Sequence, residues 1–178
     1  KKIKSLTLLP IVIFIGLTIR LFAIYIYGDS ELENEWAIII NNLVNHGAFS
    51  LYSFNGNLIP TVFMPPLYIF FLFFLKTITP ENIELVSIIL SAQIILSILS
   101  IIIFYKINIF FFSKNWSTFS AFLFCIFPLN VYAATQISSI TLQIFLTLLY
   151  LYSFFSLYRI KEFLWLKLFY FAVVSGLI

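Results

Sequence analysis

Four carboxylates fall within one short stretch, at Asp29, Glu31, Glu33 and Glu35, and they are four of the seven acidic residues in the chain. No basic residue lies between Arg20 and Lys76, so the stretch is a concentration of negative charge and not a mixed polar surface. Acids grouped in this way can serve as general bases, taking a proton from an attacking hydroxyl or amine. The sequence around and after them, residues 30–46, reads as an amphipathic helix. Trp36, Ile39, Ile40, Leu43 and Val44 recur at helical spacing on one face, with Asn34, Asn41, Asn42 and Asn45 on the other. Ser30 suits the N-cap, Glu33 three residues later completes a capping box, and Gly47 is the expected stop. Such a helix is expected to lie flat on a membrane surface, its apolar face in the lipid boundary or against a helix bundle.

Helical geometry separates the three glutamates. Glu33 has a sufficient structural role as the box residue, and Glu31 sits in the first turn, where the helix dipole favours an acid. Glu35 falls past the first turn, on the border of the apolar face and four residues from Glu31, where like charges repel. A carboxylate at the lipid edge beside another acid is expected to hold its proton more tightly, which suits a general base. A solvated acidic face on an external loop accounts for the same pattern.

The elements that must position these acids follow from composition. Of 178 residues, 62% are hydrophobic and only 10% charged, and the mean hydropathy is +1.09. Soluble domains run at about 45–50% apolar and about 25% charged, and a core of this size cannot hide the excess. The expected class is an all-α integral membrane protein, a polytopic helical bundle whose partner is the lipid bilayer. No basic stripe accompanies the aromatic residues, so nucleic acid is excluded as a partner. The single Cys125 lies in an apolar segment and is expected to pack inertly, and the lone His46 cannot build a metal site by itself.

Spans of about 20 apolar residues are expected at 6–27, 83–104, 116–134 and 139–158, with a fifth over 165–178. The chain accordingly reads as the N-terminal part of a longer single transmembrane domain, residues 1–178. The segment 60–76 is short and led by Pro60, Pro65 and Pro66. Lys1, Lys2 and Lys4 place the N-terminus inside by the positive-inside rule. If 60–76 does not cross, Lys106, Lys114, Arg159, Lys161 and Lys167 fall inside as well, so the segment is expected to lie in the outer interface. That leaves an outer loop, 28–79, carrying in-plane amphipathic helices and the acids. Arg20 lies about 10 Å below the outer end of the first span at 1.5 Å per residue, an expensive depth for a cation. Either it meets a phosphate or the acidic loop, or it snorkels to the headgroups. Ser87, Ser91, Gln93, Ser97 and Ser100 read as helix-packing positions, and Pro128 with Asn130 as a kink in the third span.

Arg20-Leu21 at the end of the first span is followed by E-W-A-I-I-I-N-N-L-V-N-H-G-A-F-S from Glu35 and then by P-T-V-F-M-P-P-L-Y from Pro60. Taken in order, this resembles the N-terminal part of the polytopic GT-C glycosyltransferases, in the branch related to protein O-mannosyltransferases and bacterial aminoarabinose transferases. The resemblance is best over residues 20–76. It implies an enzyme that takes a sugar from a polyprenyl-phosphate donor on the outer face of the membrane, in a bacterium the inner membrane, and transfers it to a protein, lipid or glycan. It also implies a catalytic acid in the first outer loop, an in-plane helix at the proline-led segment, and leaves room for a divalent metal.

Carried over residue by residue, the resemblance gives Glu35 as the leading catalytic acid, with Glu33 and Asp29 behind it, and Arg20 and Tyr68 as substrate-binding residues. In the branch with an Asp-Glu pair the aspartate position falls on Leu32 and the glutamate on Glu33. Where some relatives carry a phosphate-binding lysine before the loop proline, this chain has Pro65, and the later outer turn 135–139 has no acid. Two other readings stand beside this one: a polytopic transporter, flippase or polymerase-type membrane protein, and an inactive fragment.

Overall fold

The computed structural model describes residues 8–32, 34–61, 64–80, 83–159 and 172. Glu33, the fifth span expected over 165–178 (residue 172 apart) and the lysines at 1, 2, 4, 161 and 167 lie outside the described residues. The fold is mostly helical, with two compact units: Lys1–Gly28 with Gln93–Ile178, and Asp29–Ala92. Two helices are long and apolar enough to cross a membrane, α1 (Leu9–Tyr27) and α4 (Leu85–Asn108). Their 19 and 24 residues span about 28 and 36 Å at the helical rise, against a hydrocarbon core of about 30 Å.

In the first unit α1 starts with a proline at its N-terminal end, where the missing N–H costs no hydrogen bond. It buries Val12, Gly16, Arg20 and Ala23, a stripe at near-helical spacing. Helix α5 (Lys114–Ile126) meets it with its own small residues Ser117, Ala121 and Cys125. Small side chains let two helices approach closely without a hydrophobic driving force. Gly16 shows how close: a Cβ there would stand 2.8 Å from Cys125 Sγ and 3.1 Å from Ile101 Cδ1. Around this crossing Val12, Ile101, Tyr105, Ala121 and Cys125 form a core. The Cys125 thiol donates to the Val12 carbonyl at 3.5 Å, so it packs inertly, as expected.

The third expected span, 116–134, is not one helix. It divides at Phe127 into α5 and the short α6 (Pro128–Ala133), with Phe127 in an extended conformation. Pro128 has no N–H to give the Phe124 carbonyl and its ring clashes with the preceding turn, so the kink read from sequence becomes a break. The Asn130 Nδ2 reaches that carbonyl at 3.4 Å instead. Helix α7 (Ile140–Arg159) follows, tied back to α6 by the Thr141 hydroxyl, which donates to the Ala133 carbonyl at 2.9 Å. Ser87 and Ser91, read as packing positions, are exposed, whereas Gln93, Ser97 and Ser100 on α4 are buried.

The second unit departs from the all-α expectation. It holds α2 (Asn34–His46), a hairpin of β1 (Ser50–Phe54) and β2 (Asn57–Pro60), and α3 (Pro66–Ile78). Asn55 and Gly56 take φ of 49° and 80°, the paired left-handed residues of a tight hairpin turn whose twist matches its strands. Tyr52 pairs with Ile59, Ser53 with Leu58 and Phe54 with Asn57, and the register shifts between Ser50 and Tyr52. Helix α3 has 13 residues, about 20 Å, which is short of a membrane core.

Replacing Gly16 by alanine is expected to lower stability by about 1–3 kcal/mol, the cost of overpacking a tight contact. Denaturation of the micelle-bound chain followed by circular dichroism measures it.

Candidate functional site

Helix α2 begins at Asn34 and not in the turn after Ser30, so Ser30 does not cap it. The shift re-assigns the acids. Glu35 stands in the first turn and is half-buried, whereas Glu31 is exposed in the bend before the helix and Asp29 directly follows Gly28. Glu31 and Glu35 therefore share no helix face, and the expected four-residue repulsion does not arise. At the other end Gly47 takes φ of 63° and its N–H bonds the Leu43 carbonyl at 3.1 Å, a left-handed cap that ends the helix where the sequence said it would.

The apolar face of α2 does not stay free for lipid. Ile39 is buried with Leu51 of β1 and Ile69 of α3, and Trp36, Leu43, Phe49 and Met64 pack around them. Ile40 is buried as well, but Val44, read as part of that face, is exposed. Trp36, next to Glu35, sets its ring edge-on against Tyr68 of α3, with centroids 4.9 Å apart at 80°. Tyr68 in turn stacks on Phe71. With 1% of its surface exposed, Tyr68 is a core residue that fixes the first turn of α2 on α3. The resemblance implied a hold on substrate at Tyr68; the structure packs its ring against Trp36 and Phe71.

Two polar residues of this unit make links that the sequence did not assign to them. The Asn42 amide donates to the Ser50 carbonyl at 2.9 Å, joining α2 to β1. Ser50 is wholly buried, its hydroxyl 2.7 and 2.6 Å from the Tyr52 and Ile59 carbonyls. No spacing rule flags either residue. The dipeptide Asn55-Gly56 between apolar strands is a hairpin signal that could have been read.

Arg20 belongs to the first unit, where it is held between α4 and α5. It does not snorkel, since none of its surface is exposed. Its Nε donates to the Ser97 hydroxyl at 2.7 Å and its Nη1 to the carbonyls of Gly16 at 3.1 Å and Cys125 at 3.2 Å. Cys125 lies in the last turn of α5, whose carbonyls are left open by the Pro128 break. The guanidinium thus sits on the negative end of a helix dipole, which balances part of its charge where no carboxylate does. Its Nη2 has no hydrogen-bond partner among the described residues. Ser97 also lines a small cavity of about 10 Å³ with Ser100, Asn130 and Thr141 and the apolar Phe124 and Ile144. A wider groove of about 480 Å³ runs along Phe104, Leu123, Phe124 and Phe127. Among the described residues no group of three or more His, Cys, Asp or Glu could hold a metal ion.

Removing the Ser97 hydroxyl leaves one buried donor, Arg20 Nε, unpaired, so Ser97→Ala is expected to cost about 1–3 kcal/mol. Arg20→Met removes the charge together with its demands and is expected to cost less than Ser97→Ala. A double-mutant cycle on unfolding in micelles measures the coupling, and additive effects would contradict the tie. In the second unit Tyr68→Ala is expected to cost about 3–5 kcal/mol by opening a cavity under α2, read in the same unfolding assay.

Comparison of the chain with protein-family models, with curated proteins and with solved structures returned no match.

Proposed function

We propose that the chain is the N-terminal part of a membrane glycosyltransferase that moves a sugar from a polyprenyl-phosphate donor to a protein, lipid or glycan acceptor on the outer face of the membrane, with α4, α5 to α6 and α7 joining α1 in a polytopic bundle. The observation that carries this reading is Glu35. It is a half-buried carboxylate in the first turn of a helix whose next residue, Trp36, is locked on the buried Tyr68. A catalytic base needs a fixed place on a rigid element, and a solvated acid on a loose loop would not have one. The charge-free sequence that follows it, residues 36–75, and the resemblance over residues 20–76 support the same reading.

In this mechanism the acceptor oxygen or nitrogen attacks the anomeric carbon of the sugar while its proton passes to Glu35. The bond from that carbon to the phosphate oxygen breaks, and its electron pair leaves with the polyprenyl phosphate. Tyr68 and Trp36 hold the base in place. Arg20 enters as the tie of the helical unit, with Nη2 the one arm it has free of a partner among the described residues. Glu33 and Asp29 stand behind Glu35 as candidates for the base.

The test is transfer of labelled sugar from polyprenyl-phosphate donors in membranes expressing the gene. Glu35→Gln is expected to lose about 10²–10⁴-fold in rate, the usual worth of a general base, with membrane insertion unchanged. Glu31→Gln is expected to stay within a few-fold of wild type. Full activity of Glu35→Gln with loss in an Asp29 or Glu33 variant moves the base, and no transfer by the wild type with any donor sugar overturns the reading.

A further inference from the structure

We infer that the β1–β2 hairpin is a membrane-seated element, its aromatic face resting in the boundary between headgroups and acyl chains. The register puts Tyr52 opposite Ile59, so these two side chains share one face of the hairpin, and Phe54, two residues on, shares it too. Tyr52 and Phe54 are each 67% exposed, and Ile59 is exposed as well. A lone two-stranded hairpin is marginal in water, and one that turns two aromatic rings and an isoleucine outward is worse placed there than in lipid.

The composition of the unit names the occupant. Residues 36–75 contain no Asp, Glu, Lys or Arg. A surface facing water, or a water-soluble partner with its polar rim, carries charge at about one residue in four. Here charge stops at Glu35 and returns only at Lys76, which is exposed at the end of α3 and long enough to reach the headgroups. Helix α3 repeats the pattern of the hairpin. Its inner face buries Tyr68, Ile69, Leu72 and Leu75, while Phe70, Phe74 and Ile78, at helical spacing, are exposed. Phe49, at the root of the hairpin, meets Phe70 with ring centroids 6.1 Å apart, so the two apolar surfaces are continuous there. The chain enters this unit directly from α1 and leaves it along α4, the two helices of membrane length. Tyrosine and phenylalanine at the tip, flanked by the polar Asn55, Gly56 and Asn57, are the residue types that settle at a bilayer interface. The inference does not depend on the transferase reading.

Spin labels placed singly at residues 52, 54 and 53 of the whole chain, reconstituted in phosphatidylcholine–phosphatidylglycerol vesicles, test it. The buried Cys125 can stay, its lack of labelling being checked in the unsubstituted chain. Labels at 52 and 54 are expected to collide more with oxygen than with a water-soluble nickel chelate. Ser53, on the opposite face, is expected to show the reverse. Equal chelate access at all three positions would overturn the inference, and so would labels at 52 and 54 shielded from both reagents, the signature of a covering protein surface. Should a label disturb folding, photoactivatable lipids with the unsubstituted chain give a second reading. Cross-links are expected within residues 50–60, and their absence there while α1 and α4 are labelled would overturn the inference.

Discussion

The helical unit is organised by a guanidinium that has a helix end for a counter-charge. Arginine stays protonated in any protein environment, so its burial must be answered by geometry. Here the answer has three parts: a serine hydroxyl on α4, a carbonyl of its own helix and a carbonyl in the last turn of α5. Each part needs the others. The α5 carbonyl is open because Pro128 stops the helix, and α5 comes close enough because residue 16 is a glycine and residues 117, 121 and 125 are small. The proline, the glycine and the small-residue stripe therefore serve one contact.

The acidic unit rests on a different principle. Its ordering is aromatic and apolar, with Trp36 on Tyr68 and Ile39 among Leu51 and Ile69, and its polar links are few and internal. This makes Glu35 the exception in its surroundings. The last of four acids, at the edge of the charge-free stretch 36–75, it keeps its position because the residue after it is anchored on Tyr68, a side chain that the resemblance placed against substrate.

How much of this was legible in the sequence depended on the range of the forces involved. The helix α2, its Gly47 stop and the shortness of the proline-led segment come from local rules, and the chain obeys them. The N-terminus of α2 was misplaced because Ser30 fits an N-cap pattern, whereas the helix runs from Asn34. That local error carried the wrong relation between Glu31 and Glu35 with it. The hairpin was missed although Asn55-Gly56 marks it, because hydropathy dominated the reading of an apolar stretch. Arg20 was out of reach for another reason. Its partners lie 77 and 105 residues away along the chain, and nothing in the sequence says that a proline break will supply an acceptor.

That separation has a consequence for biosynthesis. As the chain is made, α1 is complete, with a bare arginine, well before α4 and α5 exist to receive it. Through that interval the arginine lacks two of its three acceptors, the Ser97 hydroxyl and the Cys125 carbonyl, which arrive in that order. The first helix is thus held in an unfinished state by its own charge, and completion of the unit waits on the synthesis of Pro128.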